Sequence, residues 1–309
     1  MCRHLAYVGP PISLSRLLFE PPHSLSHQSW APRDMRGGGT INADGFGVGW
    51  HTADGAVRYR RAGPLWSDPD LPALARSVRS GGVLAAVRSA TVGMPVTPFA
   101  AAPFNEGPWF FSHNGVVAGW PASVEKTAAA LPLSDLLTLD APTDSALLWA
   151  LVRDRLRLGS GLFEAVADTV ASVAAAAPGS RLNLLLTDGT TVVASTVGHA
   201  LSVLTDDHSV LVSSEPLDAN PSWRPVPDGT ILVATPGSIE QIPLNDRLPP
   251  PTTTRRPAPT CPPADTAPLA STGGPADTAP LAPTAPIADT SQPAAALRPA
   301  APSQPPDNA

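Results

Sequence analysis

Met1-Cys2-Arg3-His4-Leu5-Ala6-Tyr7-Val8 opens the chain, and the cysteine behind the initiator methionine decides how the rest is read. Initiator methionine is normally clipped when a small residue follows it, so mature Cys2 would carry both a thiol and a free α-amino group. An α-amino group titrates near about 7.7–8.0, against about 8.5 for a free thiol. The amine can take the thiol proton at neutral pH, directly or through a water, which puts a nucleophile and its base on one residue. A cysteine at this position can equally be a small apolar core residue. The choice between the two rests on the remaining sequence.

Composition separates a folded part from a tail. No Trp, Tyr or Phe follows Trp223, and close to half of the 39 prolines lie beyond Leu248. The segment Pro-Ala-Asp-Thr-Ala-Pro-Leu-Ala occurs at Pro263 and again at Pro275. Such a stretch cannot bury enough apolar area to offset chain entropy, so residues 249–309 are expected to be a disordered, partly polyproline-like tail. Residues 2–248 are then one folded unit, large enough for a substantial core.

The net charge of −6 and the scattered basic residues argue against nucleic acid or an anionic membrane as partner. There is no apolar run long enough to span a bilayer, and Pro10-Pro11 and Glu20 interrupt any signal-peptide core, so a cytoplasmic location is expected. The two cysteines, Cys2 and Cys261, are poor candidates for a disulfide because the second falls in the tail. Metal-ligand spacings are lacking, and neither a metal nor another cofactor is expected. Oligomeric state is not legible.

Short β-type runs dominate residues 2–248: Arg3–Val8, Phe46–Trp50, Val83–Arg88, Trp109–Ser112, Leu182–Thr187, Thr191–Val197, Ser209–Ser213 and Thr230–Ala234. Asp188-Gly189 marks a hairpin and Asp228-Gly229 another turn. Helical patterns cover Ser13–Phe19, Leu71–Arg79, Ala122–Leu131, Asp144–Leu156 and Phe163–Ala176, with Thr143 or Asp144 as the cap of the fourth. Strands, then two long helices, then strands again predict antiparallel sheets covered by helices, an α+β arrangement.

Four further segments carry chemistry. Asn42-Ala43-Asp44-Gly45-Phe46-Gly47-Val48-Gly49-Trp50 matches no nucleotide-binding fingerprint, and its glycines suit close backbone approach. Arg88, in Val87-Arg88-Ser89-Ala90-Thr91, leaves an apolar strand and could grip a carboxylate, or form a surface ion pair. Ser112-His113-Asn114-Gly115 reads as a polar turn after an apolar strand, able to offer an Asn amide and a Gly N–H to one oxygen. Thr143-Asp144-Ser145 opens a helix, its Asp either a cap or a carboxylate offered to an ammonium group.

In this order, Cys2, the Asp-Gly-x-Gly-x-Gly strand, Arg-x-x-Thr, Ser-His-Asn-Gly and Thr-Asp-Ser resemble the class II glutamine amidotransferases over roughly residues 2–245. The resemblance implies the four-layer αββα N-terminal nucleophile hydrolase sandwich of two antiparallel sheets. It also implies roles: Cys2 as nucleophile, Asn114 and Gly115 as oxyanion donors, Arg88 and Asp144 on the glutamyl α-carboxylate and α-ammonium, and Thr91 and His113 shaping the pocket. The segments Met1–Leu5, Asn42–Gly49 and Ala86–Pro95 are similar to a bacterial branch that removes a γ-glutamyl group from a sulfur conjugate of hercynine in ergothioneine biosynthesis. Ala86 and Ala146 stand where the family often has His and an acidic residue.

The absence of a second, synthase-like domain favours a stand-alone hydrolase of a small γ-glutamyl substrate. The alternatives are a glutaminase subunit supplying ammonia to a separate synthase, a hydrolase of another γ-glutamyl compound, or a silent binding protein. A trimethylammonium leaving group would suit an aromatic face, with Trp30, Trp50, Trp66 and Trp109 as candidates. If the tail is only a solvated extension, truncation after Leu248 leaves kcat and KM unchanged; a loss of activity measured on the truncated protein would give the tail a role.

Overall fold

The computed structural model describes residues 2–36 and 41–244. Among them are thirteen strands: β1 (Arg3–Ser13), β2 (Phe46–Thr52), β3 (Gly55–Arg61), β4 (Arg79–Val87), β5 (Phe104–Glu106), β6 (Trp109–Val116), β7 (Arg181–Thr187), β8 (Val192–Thr196), β9 (Ser202–Thr205), β10 (Val210–Ser213), β11 (Arg224–Pro225), β12 (Thr230–Thr235) and β13 (Ser238–Pro243). The α-helices are α1 (Ser15–Leu18), α2 (Leu25–Gln28), α3 (Leu71–Ser77), α4 (Glu125–Ala128), α5 (Leu133–Leu137), α6 (Asp144–Arg157) and α7 (Leu162–Ala176). The expected tail, residues 249–309, lies outside the described residues.

The strands form two sheets whose pairings are antiparallel. One has the order β11-β9-β10-β1-β4-β2-β3, the other β13-β12-β8-β7-β6-β5. Side chains alternate across a strand, so a strand in the middle of a sheet feeds two cores. In β1, Leu5 and Tyr7 point outward into a cluster with Leu17, Leu18 and Leu25 and with Leu71 and Ala75 of α3. Ala6 and Val8 point inward, against Phe110, Leu185 and Val192 of the other sheet. The outer face of that second sheet is covered by α6 and α7, whose Leu148, Trp149, Leu151, Val166 and Val170 pack on Phe111, Leu184 and Leu186. The layers therefore run helix, sheet, sheet, helix, as expected. They come close: a Cβ at Gly49 would lie 2.6 Å from the Phe110 ring, so only glycine fits there.

All eight predicted strands are present, and β7 and β8 are joined through Asp188-Gly189 as expected, with Asp188 Oδ1 accepting from Thr190 N and Thr191 N. Two expectations need correction. His113-Asn114-Gly115 is not a turn but the continuation of β6, because His113, Asn114 and Gly115 pair with Leu184, Asn183 and Leu182 of β7. Ala122–Leu131 is not one helix but a 3₁₀ turn (Ala122–Val124) followed by the short α4. Its end tightens ahead of Pro132, which disfavours helical backbone at the residue before it.

One polar contact bridges the sheets: His4 Nδ1 of β1 lies 3.2 Å from Ser112 Oγ of β6, both buried. Burial, then the positive fields of His113, His199 and Arg3, lowers the His4 pKa to about 3. His199 is lowered to about 4, by burial first and then by Arg181. Each histidine is thus protonated in the unfolded chain near pH 6.5 but stays neutral in the fold until far lower pH. The unfolded state binds more protons in that window, so the stability present above pH 6.5 is lost as pH falls toward 4, by up to roughly 1.4 kcal/mol per pH unit per histidine. Urea midpoints at pH 7 and 5 should differ accordingly, with a smaller difference in His4→Gln. Equal pH dependence in the two proteins would remove His4 from this account.

Candidate active site

The N-terminal end of β1 sets the site. Register pairs Arg3 with Val87 of β4, so Cys2 lies across from Arg88, one step beyond the ladder. The half-buried Cys2 Sγ faces Ser89 O at 3.9 Å. Arg88 is itself strapped to the start of β2: its N–H donates to Gly45 O at 2.7 Å, and its carbonyl accepts from Asp44 N at 2.9 Å. Asp44 Oδ2 accepts from Ala90 N at 2.8 Å. The glycine-rich segment thus holds the loop that presents Arg88 beside Cys2.

Arg88 is buried, and its guanidinium donates from Nη1 to Pro95 O at 2.8 Å. Among the described residues no carboxylate pairs with it. A buried arginine without a counter-charge is costly unless an anion completes it. The surface ion pair considered from the sequence does not form.

The second sheet supplies the opposing wall. Residues of even number in β6 face the inter-sheet space, and Ser112 meets His4 there. Cys2 lies two residues before His4, just ahead of β1, and Asn114 two residues beyond Ser112 on β6. Asn114 lines a cavity of about 10 Å³ with Arg3, Asp34, His199, Ala200 and Ser214, room for a single water-sized group. Its Oδ1 is buried without a hydrogen-bond partner among the described residues. The orphaned atom is an acceptor, so a donor on a bound group or a water would complete it.

His113 points to the other face, where Nδ1 lies 3.0 Å from Ser145 Oγ and Nε2 3.0 Å from Arg181 O. With both ring nitrogens engaged, it locks β6 to α6. Thr143 caps α6 by accepting from Ala146 N at 3.2 Å, which settles the choice of cap. Asp144 is buried at the first position of the helix, where the helix dipole favours a negative charge. Its Oδ2 accepts from Val117 N at 3.0 Å and its Oδ1 from Ser145 N at 2.7 Å. Among the described residues it has no basic side-chain partner.

Cys2 and Arg88 are therefore gathered at the end of one sheet's ladder, Asn114 and His113 on the other sheet, and Asp144 at the head of α6 beside the end of β6. Thr91 is exposed, its carbonyl accepting from Met94 N at 2.9 Å. Of the tryptophans, Trp50 is buried in the outer core of its sheet and Trp109 packs against the core beneath α6. Trp30 and Trp66 remain exposed, Trp30 edge-on to His27. Sequence reading passed over Arg3, Glu215 and His23, which form a buried ionic cluster behind Cys2. Their partners are far apart along the chain, so no local pattern marks them.

Gly115 has a steric reason to be glycine: an added Cβ would meet Arg181 O at 1.9 Å. Gly115→Ala must push β6 from β7 next to Asn114. A destabilisation of about 1–3 kcal/mol, as for other overpacked sites, and a fall in kcat are expected. A chemical-denaturation curve matching the parent's would contradict this reading.

The model of the glutamine amidotransferases class-II family matches residues 17–206. The γ-glutamyl-hercynylcysteine sulfoxide hydrolase of Mycolicibacterium smegmatis is 40% identical over 245 residues, which are 79% of this chain and 100% of that protein. Its namesake from Mycobacterium tuberculosis is 41% identical over 237 residues, 76% of this chain and 93% of that one. Among solved structures, a glutamine aminotransferase class-II domain protein from Silicibacter pomeroyi superposes with a TM-score of 0.57 at 25% identity, over 79% of this chain and 99% of its own. With its helix–sheet–sheet–helix layers and a cysteine at the head of the central strand, the chain belongs to the class-II glutamine amidotransferase family.

Proposed function

We propose that this protein is a γ-glutamyl amidohydrolase that removes the γ-glutamyl group from γ-glutamyl-hercynylcysteine S-oxide, a step of ergothioneine biosynthesis. The observation that carries the γ-glutamyl handle is the pair of buried, uncompensated charges, Arg88 and Asp144, at the end of the sandwich where Cys2 lies. A free amino acid head group offers a carboxylate and an ammonium, the two charges that would complete them. The leaving group is supported by the hydrolases that are 40% and 41% identical over most of this chain. Among the described residues no helix is long and apolar enough to cross a membrane, in keeping with a cytoplasmic small-molecule enzyme.

In this reading Met1 is removed and the Cys2 α-amine takes the thiol proton. The thiolate attacks the γ-carbonyl carbon, and the negative charge moves to the carbonyl oxygen. The Asn114 amide and the Gly115 N–H stabilise that oxygen, each such donor being worth on the order of 10²–10³ in rate. The C–N bond then breaks, and the departing cysteine-derived amine takes a proton from the Cys2 ammonium. Water, deprotonated by the same amine, cleaves the γ-glutamyl thioester to glutamate and restores the thiol. Arg88 and Asp144 hold the substrate head group, while His113 and Thr91 shape the pocket. Trp30, exposed and four residues before Asp34, whose carbonyl Arg3 holds, is proposed to meet the trimethylammonium.

Glutamate release from the sulfoxide conjugate and from free glutamine, measured side by side, tests the proposal. Release should be rapid from the conjugate, slow from glutamine, and abolished in Cys2→Ala, whereas Asp144→Ala should raise KM. Preference for glutamine would point instead to a glutaminase, and an active Cys2→Ala enzyme would end the mechanism.

A further inference from the structure

Behind Cys2 lies a buried ionic cluster that the mechanism above does not use. The antiparallel register of β1 and β10 pairs Leu5 with Ser213 and, carried two residues further, sets Arg3 beside Glu215. Arg3 Nε donates to Glu215 Oε1 at 2.9 Å, and both side chains are almost fully buried. The other carboxylate oxygen, Oε2, faces His23 Nε2 at 2.6 Å and accepts from Arg33 N at 2.8 Å, while Oε1 also accepts from Asp34 N at 3.2 Å. Arg3 in turn donates from Nη2 to the Asp34 carbonyl. From Nη1 it donates to the carbonyl of Cys2 itself, at 2.9 Å.

That last bond gives the cluster its meaning. Cys2 lies outside the β1 ladder, whose register begins with Arg3 opposite Val87, so strand pairing does not fix its orientation. Holding its carbonyl fixes the peptide plane on which both the α-amine and the thiol hang. Glu215 determines where the guanidinium can lie, and the buried His23, backed by His27 at 2.9 Å, determines where Glu215 can lie. Burial alone would raise the Glu215 pKa, but His23, the Arg33 and Asp34 amides and Arg3 outweigh it, and the group stays below its ordinary range. For stability alone such a pair is dispensable, since apolar replacements of a buried ion pair are often neutral or better.

We infer that Arg3 and Glu215 form a positioning clamp that orients Cys2 for attack and ties it to the loop through Arg33 and Asp34. The inference rests on Cys2 being the nucleophile of the proposed reaction. Neither residue touches the reacting atoms; both act through the Cys2 peptide group.

The test is covalent capture of Cys2 by a diazo-ketone analogue of glutamine, followed by peptide mass spectrometry, in the full-length protein with Met1 removal verified by intact mass. In Glu215→Gln the saturation constant for the analogue should stay within about threefold of the parent, because Arg88 and Asp144 are untouched. The maximal capture rate should fall by about tenfold to 10²-fold, the scale on which small misplacements act. The double variant Arg3→Met/Glu215→Met removes both charges and so separates lost orientation from lost folding; it should melt cooperatively and be as slow as the single variant. A folded variant of either kind that captures the analogue at the parental rate overturns the clamp while leaving the nucleophile in place. Failure of the parent itself to be labelled at Cys2 overturns the nucleophile, and the clamp with it.

Discussion

β1 is hydrogen-bonded on both sides, to β4 and to β10, and each alternate side chain enters a different core. Everything distinctive about the site is measured from that strand. Its first residues lie opposite Arg88 through one neighbour and opposite Glu215 through the other, and His4 touches Ser112 across the inter-sheet space. A strand in mid-sheet has little freedom to shift, because a slip would break two ladders and exchange two apolar faces. The reactive end is therefore held by the most constrained element of the fold.

The charges divide in an informative way. Arg60 is matched by Asp140, and Arg153 and Arg157 share Glu106 and Asp135 on the surface of α6. Arg3 has Glu215. Arg88 and Asp144 are buried too and have no such match among the described residues. Both are held by backbone groups instead, and the proposed recognition of a head group rests on that.

Much of this was legible in advance. The eight expected strands were legible because strands buried on both faces write short, nearly continuous apolar runs bounded by turn residues. β3 and β13 escaped notice since they are sheet edges, with Arg58, Arg60 and Arg61 on one and Glu240 and Gln241 on the other diluting the apolar pattern. Asn114-Gly115 reads locally as a turn, but pairing with β7 overrides the local preference, and no window on β6 alone contains that information. The candidate site residues Cys2, Arg88, Asn114 and Asp144 are marked by their motifs, whereas Arg3 and Glu215 are joined only by topology. Sequence also offered Thr91, and the fold leaves it exposed at a turn.

The alternation of β1 has a further consequence for how this protein can change over generations. Residues 2–8 serve three masters at once: the chemistry proposed at Cys2, the helix-side core through Leu5 and Tyr7, and the inter-sheet core through Ala6 and Val8. Substitution can be absorbed at several of these positions by repacking. Insertion or deletion of a single residue cannot, because it would turn the thiol and both apolar sets to the wrong faces together. The segment is free to drift in composition but frozen in length, so its evolution is confined to exchange and closed to indels.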